Sequence, residues 1–272
     1  MEFSPVVRVP RAGSTNADLR AAALAEPDAW PHGSVLVADH QDAGRGRSGR
    51  SWVTPPGTAL TASVLVRPDV PPDRLGWLPL LTGLAVRRAC ADLLAARPAT
   101  AVPEIRLKWP NDVLAVGAGT EDVDAWGRDR KLAGILVEVL ADVGAIVGIG
   151  VNVRQTASDL PVPWATSLAL LGADIEPPAV LSAVGHELLP LLARWEAAAG
   201  DARAAGLHAE VTAACATVGA QVRTEVPGGD GPAGRAVGLD DDGRLLVVAG
   251  VGSEPVALAA GDVVHVRPGT GY

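Results

Sequence analysis

The stretch Gly44-Arg45-Gly46-Arg47-Ser48-Gly49 satisfies G-x-G-x-x-G letter for letter, yet the residues after it deny the fold that pattern usually announces. A dinucleotide-binding loop opens directly into a helix, whose N-terminus holds the pyrophosphate. Here the loop runs on through Arg50-Ser51-Trp52-Val53-Thr54 into Pro55-Pro56. A residue before proline is pushed out of the helical region, and proline itself has no N–H to donate. A doubly wound sheet built on this loop is therefore set aside. What remains is a glycine-rich segment carrying Arg45, Arg47 and Arg50 in a chain of formal net charge −8. The cations repel one another, and ordering must remove glycine's backbone freedom. An anionic ligand resolves both, because each guanidinium offers a rigid fork to phosphate or carboxylate oxygens. The plain alternative is a solvated basic loop.

Around this loop the apolar pattern switches between helical and strand periods. "STNADLRAAALA" (14–25) predicts a helix capped from its hydroxyl and amide start. "SVLVADHQ" (34–41) predicts a short strand, and "TALTASVLVRP" (58–68) a second with Leu60, Ala62, Val64 and Val66 on one face. Residues 73–97 predict a long helix, with Leu78, Leu81, Ala85 and Ala89 at helical spacing. Three strand-like runs come next: "EIRLKW" (104–109), "KLAGILVEVL" (131–140) and "AIVGIGVNV" (145–153). The polar, Gly-rich segment 117–130 between the first two reads as a surface loop. Residues 178–200 predict another helix. After about residue 215 short apolar runs alternate with turn signals such as "PGGDG" and "DDDG", predicting hairpins of a small β-barrel. The fold class expected is α+β: a mixed β-sheet domain with flanking helices over 1–215, and a small β domain over 216–272.

Bulk properties narrow the function. A pI of about 5.1 provides no global positive field for nucleic acid or an anionic membrane, so affinity for phosphate has to be local. No uncharged apolar run is long enough to span a bilayer, and "MEFSPVVRVPRAG" holds no apolar signal region. Two cysteines, Cys90 and Cys215, make no disulfide framework and point to a reducing cytoplasm. "HELLP" starts like a zinc-protease helix but has Pro190 where the second histidine belongs. No G-x-S-x-G occurs.

Four smaller signals accompany the loop. In "LKWPNDVL" (107–114) Pro110 keeps Trp109 extended and places Asn111 and Asp112 in a turn beyond the strand, which alone is ordinary turn chemistry. Lys131 starts a strand that contains Gly134, a position suited to a bulge or a close ligand. Gly148 and Gly150 repeat that pattern on a strand ending at Asn152. "STN" (14–16) supplies more polar groups than a helix cap uses.

Together and in this order, "STN", "GRGRSGRSW", "KWPNDVL", "KLAGILVE" and "GIGVN" resemble the biotin–protein ligases of the type without an N-terminal DNA-binding domain. The resemblance covers residues 14–153 directly, and the small β domain fits the same family. It implies a class II synthetase-like sheet and an SH3-like C-terminal barrel. It implies an ATP-dependent ligase that makes biotinyl-5'-AMP and passes biotin to a lysine of a biotin carboxyl carrier domain of acetyl-CoA carboxylase or a related enzyme. ATP and biotin would be the substrates, with Mg²⁺ arriving on the nucleotide. Ser14, Thr15, Asn16 and Gln41 would address the ureido head of biotin. Gly44, Arg45, Gly46 and Arg47 would close over biotin and adenylate, and Gly134 would let its strand approach the ring. Arg47 and Lys131 would face the carboxylate and α-phosphate. Arg50, Trp52, Asn111 and Asn152 would belong to the nucleotide or metal end, with Trp52 offering its face to adenine. Asp112 would activate the incoming lysine. The implied enzyme is cytoplasmic, a monomer or weak homodimer, and binds neither DNA nor membrane. Its small C-terminal domain, lying beyond every matched motif, is expected to help dock the acceptor or steady the core, and to matter more for transfer than for adenylation. Lipoate or octanoate transfer on the same fold, and a non-enzymatic anion or nucleic-acid binder, are the alternatives.

Overall fold

The two long apolar runs around residues 131–153 pair with each other along their length and form the middle of the sheet. In the computed structural model, which describes residues 2–96, 102–140, 143–226, 229–250, 252–259 and 261–266, they are β6 (Arg130–Leu140) and β7 (Gly144–Asn152). The other strands are β1 (Val6–Val9), β2 (Val35–Ala38), β3 (Ala59–Val66), β4 (Ile105–Lys108) and β5 (Asp112–Ala115). They form a seven-stranded mixed sheet in the order β1-β2-β3-β7-β6-β5-β4, with β1 and β2 parallel and the other pairs antiparallel.

Helices cover both faces. On one, α2 (Leu78–Ala95) and α3 (Pro177–Ala197) pack against each other and against Leu60, Ala62, Val64 and Val66, the β3 face expected from the alternation. On the other, α1 (Thr15–Ala25) buries Leu19 and Ala23 against Leu36, Leu65 and Ile146. Here β3 buries both faces, because its intervening positions Thr61 and Ser63 are polar but enclosed. A buried hydroxyl must find a partner, so these two already mark where something other than core packing takes place.

Several local expectations are corrected. Ser14 is the N-cap of α1 but makes no side-chain cap bond; instead Gly13 N–H donates to Asp18 Oδ2 at 3.2 Å. The long helix begins at Leu78 and not at residue 73, because Pro72–Trp77 turn as a 3-10 segment before Pro79 opens the α-helix. Residue 97, its expected end, lies outside the described residues. Asp112 is not in a loop: it opens β5 and pairs with Lys108 across a tight connection. Neither β1, β5 nor α4 (Leu207–Ala214) was expected. Cys90 and Cys215 are both free and buried, and burial pushes the Cys90 thiol up to about 12.

The C-terminal segment forms a five-stranded antiparallel, SH3-like sheet in the order β11-β10-β9-β8-β12. Its strands are β8 (Gln221–Val226), β9 (Gly229–Leu239), β10 (Leu245–Val248), β11 (Val256–Leu258) and β12 (Asp262–His265). The "DDDG" turn joins β9 to β10, with Asp240 Oδ1 accepting from Asp242 N–H at 3.0 Å and Arg244 N–H at 2.9 Å. "PGGDG" lies at the β8–β9 hairpin, its residues 227–228 outside the described set.

This sheet is not an appendage. Trp77 Nε1 donates to Asp241 O at 2.8 Å and Trp109 Nε1 to Gly243 O at 3.0 Å, so two indoles of the larger unit grip the "DDDG" turn. Trp109 N–H donates to Thr217 Oγ1 at 3.0 Å, tying the "WPND" turn to the smaller unit. Val222, Ala236, Leu239, Leu245 and Val247 belong to the same hydrophobic cluster as α2 and β4. Truncation at residue 216 would uncover Trp77 and Trp109, which are 0% and 2% exposed. Losing the packing of a single buried aromatic already costs about 3–5 kcal/mol. The truncated chain is therefore expected to lose its cooperative melting transition, and with it adenylation as well as transfer. A truncated protein that melts like the full chain would refute this.

Candidate active site

The α1 face of the sheet carries a floor without side chains. Gly134 of β6 pairs with Gly150 of β7, and Leu136 with Gly148, two residues further along. Each glycine admits a specific group. A Cβ on Gly148 would lie 2.5 Å from Asn16 Oδ1, and one on Gly150 would lie 2.7 Å from the Trp52 ring. Glycine inside a strand costs about 0.5–1 kcal/mol relative to alanine, and here the cost makes room for a cavity of about 230 Å³.

At the Gly148 end the lining is polar. Asn16 Nδ2 donates to Leu136 O at 3.2 Å, while its Oδ1 lies 2.6 Å from Ser63 Oγ. Ser63 Oγ is also 2.8 Å from Thr15 Oγ1, so its single proton serves only one of the two oxygens at a time. Gln41 Oε1 accepts from both Thr15 N–H at 2.8 Å and Thr15 Oγ1 at 3.0 Å. Spare acceptor capacity therefore faces the cavity, beside Ser14.

In the middle the Arg/Gly loop folds over the floor. Gly46 N–H donates to Arg50 O at 2.7 Å and Trp52 N–H to Gly44 O at 2.9 Å, closing a 3-10 turn over Arg47–Gly49 with Ser48 in the left-handed region at φ 52°. Trp52 inserts from this loop onto Gly134 and Gly150, and its buried Nε1 finds no hydrogen-bond partner among the described residues. Gly44 is outside the cavity lining, and its lack of a side chain admits Trp52 O, which a Cβ there would run into. Arg50 pairs with Asp262, and Arg47 Nη2 reaches Gly261 O at 3.4 Å, so β12 and the residue before it hold the loop from outside. Burial pushes the Arg47 guanidinium below its ordinary value, Asp112 opposing the effect and Arg50 adding to it.

At the far end Lys131 Nζ lies 2.7 Å from Asp112 Oδ1 and 5.9 Å from the Trp52 ring centroid. Asn111 Nδ2 donates to Ile135 O at 3.1 Å, leaving its oxygen toward the cavity it lines. Asn152 is held on both amide atoms, donating to Thr166 O at 2.9 Å and accepting from Gln155 Nε2 at 3.1 Å. Beyond them the wall is Trp126, Pro161, Val162 and Trp164.

Of the residues singled out in the sequence, all but Gly44 line this single cavity. Ser63, Trp126, Trp164 and Asp262 were missed. Trp126 and Trp164 carried a signal nonetheless: they are two of only seven tryptophans, one in a polar, Gly-containing loop and the other in a Pro-rich one. Ser63 and Asp262 carried none, since each is one polar position in an ordinary strand.

The Biotin/lipoate A/B protein ligase family matches residues 10–154, and the Biotin protein ligase C terminal domain matches residues 217–266. The chain is 42% identical over 261 residues to the biotin–[acetyl-CoA-carboxylase] ligase of Mycobacterium tuberculosis, spanning 95% of this chain and 88% of that one. It is 30% identical to the bifunctional ligase/repressor BirA of Bacillus spizizenii, spanning 80% of this chain and 62% of that protein. Among solved structures, the biotin protein ligase from Aquifex aeolicus in complex with biotin and ATP superposes with a TM-score of 0.75 at 26% identity, covering 97% of this chain and all of that one.

Proposed function

This chain belongs to the biotin protein ligase family, and from that premise we propose that its elongated cavity runs both halves of an ATP-dependent ligation in linear order. Biotin is activated as biotinyl-5'-AMP and then transferred to a protein lysine. The observation that carries the residue assignment is the register of β6 and β7. Walking from Gly148 to Asn152, and from Leu136 to Lys131, leads from the polar Asn16 end, past Trp52, to the Lys131–Asp112 pair.

The ureido head of biotin offers two N–H donors and one carbonyl. The Thr15, Asn16, Ser63 and Gln41 group, with Ser14 beside it, has acceptors to spare and meets those donors. The dithiolane of lipoate and the alkyl end of octanoate offer nothing to them and would leave buried polar atoms unpaired, at about 1–3 kcal/mol each. The glycine floor and Trp52 enclose the ring system, and the valeryl chain carries the carboxylate to Lys131 and Arg47.

In the first half-reaction a biotin carboxylate oxygen attacks the α-phosphorus, forming the acyl–phosphate bond as pyrophosphate leaves. Lys131 and Arg47 stabilise charge on the α-phosphate; Arg45 and Arg50 add positive field, and Gly46 keeps the loop backbone close. Trp52 Nε1 supplies a further donor to the ligand. Asn111 offers an amide oxygen at the nucleotide end, while Asn152 acts through the 155–167 segment it anchors. In the second half-reaction the acceptor amine attacks the acyl carbon, AMP leaves, and Asp112 takes up the amine proton.

Mg²⁺ would reach the site on the nucleotide. Among the described residues no group of three or more His, Cys, Asp or Glu comes together to hold a metal, and Mg²⁺ ordinarily keeps water and phosphate oxygens as ligands. Asp112 and the Asn111 oxygen are the residues that would complete its shell, where it would neutralise phosphate charge.

The acceptor is a biotin carboxyl carrier domain of acetyl-CoA carboxylase or a related carboxylase. The working unit in this reading is a monomer or weak homodimer, each copy carrying its own set of these site groups. The need for ATP fits a cytoplasmic reaction. No helix of the described residues is long and apolar enough to cross a membrane. DNA binding is not part of this reading, and a salt-sensitive nanomolar complex with duplex DNA would contradict it. The decisive assay is ATP–pyrophosphate exchange, expected to require both biotin and Mg²⁺. Exchange supported by lipoate or octanoate instead of biotin would sink the assignment.

A further inference from the structure

The segment 117–130 was expected to be a surface loop, yet it is folded around a buried side chain. The Arg130 guanidinium donates to Gly127 O and Asp129 O, each at 2.9 Å, and to Glu121 O. Arg130 is 8% exposed, and Gly119 has no Cβ because one there would occupy the guanidinium's place. Gly119 N–H donates to Arg128 O at 2.8 Å, Gly117 N–H to Asp129 Oδ1 at 2.9 Å, and Gly127 N–H to Val123 O at 2.7 Å. A loop with this many internal bonds holds a fixed shape, and what it presents is Trp126.

Trp126 stacks on Trp164 at 6.0 Å between centroids, with the planes 7° apart, and Lys108 Nζ sits 4.3 Å from the Trp126 ring centroid. Both partners lead back to the reacting pair. Lys108 is the cross-strand partner of Asp112. The main chain at Trp164 is bonded to Lys131: Lys131 N–H donates to Trp164 O at 2.7 Å, and Thr166 N–H donates to Lys131 O at 2.9 Å. Asp112 and Lys131 are joined by their 2.7 Å ion pair. Ring contacts, strand pairing, the ion pair and main-chain bonds together close a circuit, from Trp126 through Lys108, Asp112, Lys131 and Trp164 back to Trp126.

We propose that Trp126 is a positioning residue for adenylation: the Arg130-folded loop clamps Lys108 to Trp164 and thereby fixes the Lys131–Asp112 pair at the α-phosphate. A charge fixed before the reaction stabilises the transition state without reorganisation, and a misplacement of about 1 Å can cost of the order of 10²-fold. The inference rests on the proposed role of Lys131 at the α-phosphate.

A double-mutant cycle tests it by single-turnover adenylation. Trp126→Ala is expected to slow adenylation about tenfold, within the coupling typical of residues joined in one network, with biotin affinity unchanged and Trp126→Phe restoring most of the rate. In the Lys131→Ala background the same change is expected to have no further effect, because there is no ammonium left to position. Additive losses, or a Trp126→Ala enzyme of full rate, overturn the inference. So does a loss shared equally between biotin affinity and rate, which marks general loosening. If Lys131→Ala itself leaves adenylation intact, the proposed role of Lys131 fails instead. Should Trp126→Ala not fold, Trp126→Leu carries the same cycle with the same outcomes.

Discussion

Lys131→Ala should slow single-turnover adenylation by about 10²–10³, the usual loss when one preorganised donor to a developing charge is removed, while biotin binding changes little. Lys131 lies on β6, bonded through its own N–H and carbonyl to the 164–166 segment, and its ammonium is held by Asp112 at 2.7 Å. It is therefore in place before any ligand arrives. Arg47 should fail in another way. It sits in a loop joined to the rest of the molecule chiefly by Trp52, the Arg50–Asp262 pair and a long 3.4 Å contact to Gly261 O. Its charge counts once the loop is shut, so Arg47→Ala should release biotinyl-AMP into solution and label lysines unselectively. The measurement is paired: adenylation rate, and free adenylate trapped after one turnover. Removing Lys131 also strips the partly buried Asp112 carboxylate of its partner, so a melting curve belongs with the assay. Equal slowing by both variants with no escaped adenylate would end the distinction between a fixed lysine and a lid arginine.

The part of the molecule that lines the cavity was legible because its unusual residues break the rules of their own elements. Glycines in strands, arginines among glycines and a hydroxyl-amide run too rich for a cap all cost stability and so announce a ligand. The elements missed are those with no such conflict. β1, with the ordinary edge sequence Val-Val-Arg-Val, is recognisable only once β2 lies beside it. β5 hid because Pro-Asn-Asp is legitimate turn chemistry; its strand role depends on Lys108 lying opposite Asp112. How firmly the small sheet is joined to the core was hidden for a related reason. Its motifs lie past residue 216, but the Trp77 and Trp109 bonds that make it part of the core are each formed between residues more than a hundred positions apart. The 117–130 loop read as polar and glycine-rich, which is true, but whether such a loop floats or folds depends on Arg130 turning inward, and sequence spacing does not report that.

Gly148→Ala should weaken biotin binding about 10–100-fold, the worth of one or two neutral hydrogen bonds lost in a buried setting. The added methyl would lie 2.5 Å from Asn16 Oδ1 and 3.1 Å from its Cγ, so the amide must leave its place. That breaks its bond to Leu136 O and its contact with Ser63, and disorganises the acceptors that face the ureido head. These contacts are the same in the ground and transition states, so their loss should appear in KM for biotin while kcat at saturation stays near its original value. Gly150→Ala, two residues along the same strand, should behave oppositely. Its methyl would lie 2.7 Å from the Trp52 ring, expelling the indole and with it the seated Arg/Gly loop. There the expected loss is adenylate retention, as for Arg47→Ala, with hydrogen exchange at 44–52 no longer slowing when biotinyl-AMP binds. Trp52→Ala in the Gly150→Ala background should add little, since the ring has already been displaced. The two glycines thus report on the two ends of the cavity separately. If Gly148→Ala lowers kcat and leaves KM for biotin untouched, Asn16 faces the reacting phosphate and not the ring head, and the order of groups along the cavity is reversed.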